Sequence, residues 1–159
     1  MANRIFTFGY EGLSLDEFVR RLKTAGIETV VDVRANPLSR KPGFSKRALS
    51  ATLNAAGLAY VHLPAMGCPK SVRDCYKRDG DWGVYTRGFL AHLNDQHEAL
   101  RNVAAIASRS LSCLICFEAD FNRCHRTYVA RAAAELSGFD VTHLTEQTEL
   151  ADAAVRSAA

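Results

Sequence analysis

The chain has 159 residues, of which 48% are hydrophobic and 23% are charged, and its formal net charge is +3. This length suits one domain that buries about two-thirds of its unfolded surface, and the composition excludes an intrinsically disordered chain. No apolar run reaches the length of a membrane span, and the opening MANRIFTFGY lacks the order of a signal peptide. We therefore expect a cytoplasmic protein with no membrane partner.

The five cysteines are an odd number, which is consistent with a reducing compartment. In that setting cysteines are core residues, metal ligands or reactive thiols, and a disulfide framework is not expected.

Strand and helix signals alternate along the first part of the chain. Short runs rich in β-branched and aromatic residues predict strands, whereas apolar residues at helical spacing behind a capping Ser predict helices. These patterns place strands at residues 5–10, 29–33 and 58–63, and helices at residues 14–26 and 45–57.

The second part of the chain contains one segment without a clear period. Residues 64–81 combine turn residues and charges, so we expect an irregular excursion or lid there. Beyond it we expect a helix at residues 82–107, a strand at 111–117, a helix from about Thr127 to 137, a short strand at 139–144, and a terminal helix or tail at 146–159.

This order predicts a single α/β domain over residues 1–159. Strands that alternate with helices form a mostly parallel sheet, here of about five strands, with helices on both faces in three layers. In open sheets of this kind, ligands bind in the crevice outside the carboxyl ends of the strands.

The richest chemistry lies in LSCLICFEADFNRCHRTY, residues 111–128. Its first half is an apolar strand, and its second half holds an acid, an amide, a thiol, an imidazole and two guanidiniums directly before a helix. A helix N-terminus offers free N–H groups to an anion. We therefore predict an enzyme-like site that binds an anionic small molecule, phosphate-bearing or nucleotide-like.

Three residues of this stretch are catalytic candidates. Cys124 lies just before a predicted helix and has Arg123 and Arg126 close to it in the sequence. Both a helix N-terminus and nearby cations favour a reactive thiolate. Glu118 is a candidate general base, or else the counter-charge of the arginines. His125 can shuttle protons near neutral pH or cap the helix.

The remaining candidates are predicted to bind the substrate, because they lie at strand ends, in the long loop ANPLSRKPGF, or at the start of the helix that follows the fourth strand. Arg34 and Arg126 would hold the anion together with the helix N-terminus. The substrate-binding candidates are Tyr10, Asp32, Arg34, Ser39, His62, Cys116, Arg123 and Arg126. The sequence specifies no cofactor and no oligomeric state.

Two alternatives follow from other patterns. Residues 34–73 contain seven Lys or Arg and no acid, which would suit a non-catalytic nucleic-acid-binding module with salt-dependent binding. A metal-dependent hydrolase could recruit Cys116, Cys124 and His125, with His62 from the third strand. Cys113 is expected in the core, because residues three apart on a strand point to opposite faces.

The order of strand, Cys116, loop, Arg123 and helix is loosely similar to rhodanese and cysteine-phosphatase domains. In those enzymes, backbone N–H groups and an arginine cradle an oxyanion around a thiolate. Here six residues separate Cys116 from Arg123, the loop has no Gly, and Glu118 adds a negative charge.

Four motifs in order, FGYEG, DVRANPLSRKPGF, YVHLPAMG and CFEADFNRCHR, resemble a widespread, mainly prokaryotic family, the domain-of-unknown-function family four-eighty-eight. The resemblance covers nearly the whole chain and implies one shared site, but no reaction. The positions that it implies are Tyr10, Glu11, Asp32, Arg34, Pro37, Ser39, His62, Gly67, Cys116, Glu118, Cys124, His125 and Arg126.

Overall fold

The computed structural model of the chain describes residues 3–155 and contains one sheet of six strands. The strands are β1 (Arg4–Gly9), β2 (Thr29–Asp32), β3 (Ala59–His62), β4 (Ser112–Cys116), β5 (Asp140–Leu144) and β6 (Glu149–Ala151). Their order is β3-β2-β4-β1-β5-β6. Neighbouring strands from β3 to β5 are parallel, and β6 is antiparallel to β5. The predicted α/β class with a mostly parallel sheet is therefore confirmed.

Helices follow most of the parallel strands. They are α1 (Leu15–Thr24), α2 (Lys46–Ala55), α3 (Lys70–Asp79), α4 (Trp82–Asn94), α5 (His97–Arg109) and α6 (His125–Ser137). The predicted capping box is present at α1, where Ser14 accepts from the Glu17 N–H and the Glu17 side chain accepts from the Ser14 N–H. This reciprocal pair satisfies two donors that a helix N-terminus leaves open.

Two segments in the middle of the chain differ from the sequence-based expectation. Residues 64–81 are not an irregular excursion, because they contain a single 3-10 turn at Pro64–Met66 and then the whole of α3. None of the α3 side chains is buried, so the sequence lacks the regular apolar stripe that reveals a helix packed on a core. Residues 82–107 form two helices, since α4 ends at Asn94 and α5 begins at His97.

The expected terminal helix or tail at residues 146–159 is also wrong for the part that the structure describes. A turn at Thr145–Thr148 leads into β6, which pairs with β5. The three residues of β6 are exposed and show no strand pattern in the sequence. They form a strand because they pair with β5. Residues 156–159 lie outside the described range.

The helices form two layers, one on each face of the sheet. One core joins α1 and α2 to the sheet through large apolar side chains such as Phe18 and Leu49. The other joins α4, α5 and α6 through Phe89, Val103 and Val129. Within residues 3–155, no helix is both long and apolar enough to cross a membrane.

The strand order opens a crevice around the carboxyl end of β4. The chain leaves β1 and β2 for helices on one face, whereas it leaves β4 for α6 on the other face. Because neighbouring strands send their connections to opposite faces at this point, the loops diverge and leave room for a ligand.

Candidate functional site

A pocket of about 370 Å³ occupies this crevice. Loops after β1, β2 and β4 form its floor and one wall, and the segment before α3, residues of α3 and α4, and the start of α6 with the turn before it form the rest. The lining side chains are Tyr10, Arg34, Ala35, Asn36, Leu38, Cys68, Arg73, Tyr76, Lys77, Trp82, Tyr85, Cys116, Phe117, Glu118, Arg123 and His125.

The floor of the pocket gathers a thiol, a carboxylate and an imidazole, and a second thiol lies directly behind it. Cys116 ends β4, Cys124 is the N-cap of α6, and His125 is its first residue. The Sγ atom of Cys116 lies 2.8 Å from Oε2 of Glu118, and Sγ of Cys124 lies 3.5 Å from the same oxygen. Ligand-type atoms of the two cysteines and His125 all lie within 4.8 Å of one another.

The orientation of His125 is fixed by a backbone carbonyl. Its Nε2 lies 2.7 Å from the oxygen of Val33, and a carbonyl oxygen only accepts hydrogen bonds. In the neutral ring Nε2 therefore carries the proton, and Nδ1 presents a lone pair 3.9 Å from Sγ of Cys124. Phe89 packs against the ring at 5.3 Å between centroids.

Arg126 supports the floor from below. Its side chain is fully buried, and its Nη1 donates to the backbone oxygen of Glu118 and faces Sγ of Cys116 at 4.0 Å. Burial, the largest single effect, lowers the pKa of Arg126, but the thiols of Cys124 and Cys116 raise it by more. Its Nε is buried with no partner among residues 3–155.

Gly9 allows the loop after β4 to reach this position. A Cβ atom added at Gly9 would lie 1.7 Å from the backbone oxygen of Glu118. Only glycine fits at residue 9, because the backbones of Gly9 and Glu118 approach each other so closely. The same Glu118 oxygen accepts the hydrogen bond from Arg126. The motif therefore contributes to the site through its backbone as well as through Tyr10.

The second strand contributes a buried ion pair. Nε and Nη2 of Arg34 donate to the two carboxylate oxygens of Asp32 at 2.9 and 2.7 Å, and Nη1 donates to the Tyr10 hydroxyl and the Phe44 carbonyl. Burial, the largest single effect, lowers the pKa of Arg34, but the bonds and the charge of Asp32 together raise it by more, so this pKa lies above its ordinary value. The Tyr60 hydroxyl also donates to Asp32. This network shapes the wall and leaves Arg34 little capacity for a ligand.

The model of the family described as Domain of unknown function DUF488 matches residues 14–133. The chain belongs to this family. The match runs from the start of α1 into α6 and includes every pocket residue except Tyr10. It confirms the family resemblance and contains three of the four sequence motifs, whereas FGYEG at residues 8–12 precedes it.

No curated protein and no solved structure matches the chain. The family description assigns no activity, and neither it nor the searches support the looser likeness to rhodanese and cysteine-phosphatase domains. The geometry also differs from an oxyanion cradle, since the Glu118 carboxylate lies against the Cys116 thiol.

The predicted site residues of this DUF488 domain fall into three groups. Those that line the pocket are Tyr10, Arg34, Cys116, Glu118, Arg123 and His125. Those that lie behind its surface and hold the lining in place are Asp32, Cys124 and Arg126. Ser39 instead orders its own loop by bonding to Ser45 and Lys41, and His62 binds the carbonyl of Arg34.

The outer wall of the DUF488 pocket was missed by sequence reasoning. It consists of Arg73, Tyr76 and Lys77 from α3 with Trp82 and Tyr85 from α4. One signal was available, because Arg73 and Lys77 are four residues apart, a spacing that puts two cations on one helix face. The ring of Trp82 stacks on Tyr85 at 4.4 Å between centroids.

Proposed function

We propose that this protein is an enzyme that binds a small anionic molecule, phosphate-bearing or nucleotide-like, in the pocket at the carboxyl end of β4. The observation that carries the proposal is the combination of a cationic and aromatic rim with a buried cluster of reactive groups at the floor. Concave sites with a few convergent polar groups are typical of small-molecule binding.

The rim supports an anionic ligand because its cations are available. Among residues 3–155, the side chains of Lys77 and Arg123 have no hydrogen-bond or ion-pair partner. Arg73 donates only its Nε, to the carbonyl of Cys68, which leaves the end of its guanidinium free. Three cations around one opening focus a positive potential that attracts an anion.

The aromatic side chains support an organic group on the ligand. Trp82 and Tyr85 present a stacked pair, and Phe117, which also lines the pocket, is 44% exposed. The Arg123 guanidinium lies 5.8 Å from the centre of the Trp82 ring. Aromatic walls of this kind hold planar groups such as a nucleobase by stacking, while the cations bind the charged end.

This arrangement revises which residues hold the anion. The sequence pointed to Arg34 and Arg126, but both are buried and bonded to protein acceptors. In the proposal Arg73, Lys77 and Arg123 take this role instead. Arg34 and Arg126 keep the wall and the floor in position.

Glu118 is the proposed general base at the floor. Its side chain lines the pocket, and a carboxylate within reach of a bound molecule can accept a proton from it. His125 can contribute only Nδ1, because Nε2 is bonded to Val33. Cys124 is 2% exposed and lies behind the lining, which disfavours a direct attack by its thiol on a substrate.

The nucleic-acid alternative is less well supported, because much of the basic stretch is already engaged. Arg34 is paired with Asp32, Lys41 binds the carbonyl of Tyr10, and Lys70 is paired with Asp74. A counterion-releasing surface needs free cations that face one polymer.

A thermal-shift screen of the untagged chain tests the proposal. The probes are nucleotides, sugar phosphates and inorganic oxyanions, compared between the native chain and the double variant Lys77→Gln/Arg123→Gln. A ligand at about a hundred times its dissociation constant adds roughly 2.7 kcal/mol to the stability. We expect at least one probe to stabilise the native chain and to lose this effect in the double variant.

The matched control is Arg101→Gln, which removes an exposed arginine of α5 that does not line the pocket. A hit that survives in the double variant would contradict the proposed anion site. Stabilisation by single-stranded oligonucleotides alone, with a steep dependence on salt, would favour the nucleic-acid-binding module.

A further inference from the structure

Two thiols and an imidazole lie close together at and behind the floor of the pocket, and binding of an anion gives no reason for this arrangement. The sulfur atoms of Cys116 and Cys124 and a ring nitrogen of His125 lie within 4.8 Å of one another, and all three residues are buried. They belong to two regular elements, since Cys116 ends β4 and the other two begin α6. From this cluster we infer a binding site for one thiophilic divalent metal ion, with zinc as the first choice.

The donor set suits zinc. Zinc binds thiolate sulfur at about 2.3 Å and imidazole nitrogen at about 2.0–2.1 Å in tetrahedral sites. Ligand atoms around such an ion are therefore roughly 3.5–4 Å apart. The observed spread of up to 4.8 Å requires only a small inward movement of the side chains.

The orientation of His125 provides an independent observation. The Nε2 proton is directed to the Val33 carbonyl at 2.7 Å, so the lone pair of Nδ1 faces the sulfur of Cys124. Histidines that bind metals almost always donate their other ring N–H to a carbonyl or carboxylate, which fixes the ring and its tautomer. The second contact that a metal-binding histidine needs is therefore already formed.

The charges at the floor are consistent with a bound dication. Binding requires both thiols to lose their protons to solvent, so one ion is balanced by two thiolates and two protons are released. The remaining charges, Glu118 and Arg126, have opposite signs and lie beside the same sulfur atoms. The whole cluster is then close to neutral, as a buried site must be.

Three protein ligands leave the fourth position of the ion for water or substrate, which is the arrangement of catalytic zinc sites. Cys116 and His125 line the pocket, so an ion held by them would border the space of the proposed ligand. Glu118 contacts both sulfurs through Oε2, so its carboxylate would lie beside the ion and would supply a base for hydrolysis there. This catalytic role rests on the proposed function, whereas binding of the ion does not.

The test uses the untagged full-length chain, reduced with a phosphine and stripped with a chelator. Zinc is titrated in competition with a chromophoric chelator, and cobalt(II) is added in parallel as a spectroscopic probe. We expect one ion per chain, release of two protons, and the near-ultraviolet thiolate-to-cobalt charge-transfer band. Cys124→Ser and His125→Gln should each weaken zinc binding by more than about 100-fold, because each removes a direct ligand and even supporting contacts contribute 10–100-fold.

Cys75→Ser is the matched control, because Cys75 lies on α3 outside the cluster, and it should bind zinc like the native chain. Glu118→Gln should retain the ion, and loss of the ion would make Glu118 the fourth ligand and overturn the open position. A cobalt spectrum without the thiolate band, or unchanged zinc binding in Cys124→Ser, would overturn the site. If Cys124→Ser does not fold, the native cobalt spectrum and His125→Gln decide.

The two proposals fail in different ways. An anion that stabilises the chain equally with and without zinc, combined with weak and non-stoichiometric zinc binding, removes the metal site and leaves the anion site. One tightly bound zinc ion without any anion response leaves the metal site and removes the proposed substrate class.

Discussion

The thiol of Cys116 donates a hydrogen bond to the carboxylate of Glu118, with Sγ 2.8 Å from Oε2. Burial, the largest effect, raises the pKa of Cys116 well above its ordinary value, and Cys124 and the Glu118 charge raise it further. In the metal-free chain this sulfur therefore keeps its proton near neutral pH. A thiol that keeps its proton is a poor nucleophile.

The protonated state of Cys116 should make it slow to alkylate in the metal-free, reduced chain. We expect iodoacetamide to modify Cys75 before Cys116, and Glu118→Gln to accelerate the modification of Cys116 by between about twofold and tenfold at neutral pH, because it removes the adjacent charge. The rates are measured by mass spectrometry of the labelled peptides. The rate at Cys75 serves as the internal control. Equal Cys116 rates in both proteins would show that the carboxylate does not hold the proton.

Substitution of Gly9 should damage the site through the backbone. In Gly9→Ala the new Cβ would overlap the Glu118 carbonyl, so the loop after β4 must move away from Arg126. We expect a loss of about 1–3 kcal/mol in the free energy of unfolding, as for other overpacked sites, measured by urea denaturation.

Gly83→Ala is the matched control, since Gly83 lies in the first turn of α4. A Cβ added there would first meet a side-chain oxygen of Asp81, at 3.2 Å, and the exposed side chain of Asp81 can move to relieve this contact. This change should be neutral or slightly stabilising, because alanine is the better helix former. Similar losses for both glycines would indicate that the close approach at Gly9 is not the cause.

The site was partly predictable because its chemistry is contiguous in the sequence. Cys116, Glu118, Cys124 and His125 lie within ten residues, so a local strand-to-helix reading was sufficient to bring them together. Residues after β1 and β2 were also predictable, since parallel strands present their carboxyl ends on one edge. Tyr10 reaches the pocket in this way.

The parts of the fold and of the site that could not be predicted depend on contacts between segments that are distant in the sequence. The outer wall of the pocket forms only when α3 and α4 pack beside the loop after β4. No local sequence pattern predicts where a helix without buried side chains, such as α3, will pack. The same limit applies to β6, whose three residues become a strand only because β5 offers a free edge. Arg34 looked like a free cation, because its partners Tyr10 and Phe44 lie far from it in the sequence and no local pattern showed that the nearby Asp32 would pair with it.

The Asp32–Arg34 pair allows a test of structural dependence. Asp32→Asn leaves the Arg34 guanidinium buried without its counter-charge, and breaking a buried pair in this way costs about 3–5 kcal/mol. The free energy of unfolding from urea denaturation checks this value. Asp74→Asn, which removes an exposed partner of Lys70, should leave the free energy of unfolding nearly unchanged, because solvent screens an exposed ion pair. A comparable loss at both positions would contradict the buried-pair argument.

A second buried polar network joins β1, β5 and the segment after β6. Nδ1 of His143 lies 2.6 Å from the Thr7 hydroxyl and Nε2 lies 2.7 Å from Asp152, which also accepts from Arg131 at 3.0 Å. The ring of Phe121 stacks on His143 at 3.9 Å, so the residue is closed off from solvent. These contacts tie the last described segment to the sheet and to α6.

This network should make stability depend on pH with a definite sign. Burial, the largest effect, lowers the pKa of His143 against the attraction of Asp152, and the positive charges of Arg126 and Arg131 lower it further. The unfolded chain therefore binds a proton at a higher pH than the folded chain does. The stabilisation is present above about pH 6.5 and is lost as the pH falls through the folded pKa of the imidazole.

Asp152 adds a second effect of the same sign at lower pH. Burial, the largest single effect, raises its pKa, but the bonds from His143 and Arg131 lower it by more, so its contribution is lost as the pH falls below about 4. We expect the free energy of unfolding, from urea denaturation, to fall between about pH 7 and pH 5, and His143→Gln to flatten this slope. His97→Gln on α5 is the control and should keep the native slope. A native slope that survives in His143→Gln would assign the pH dependence to another group.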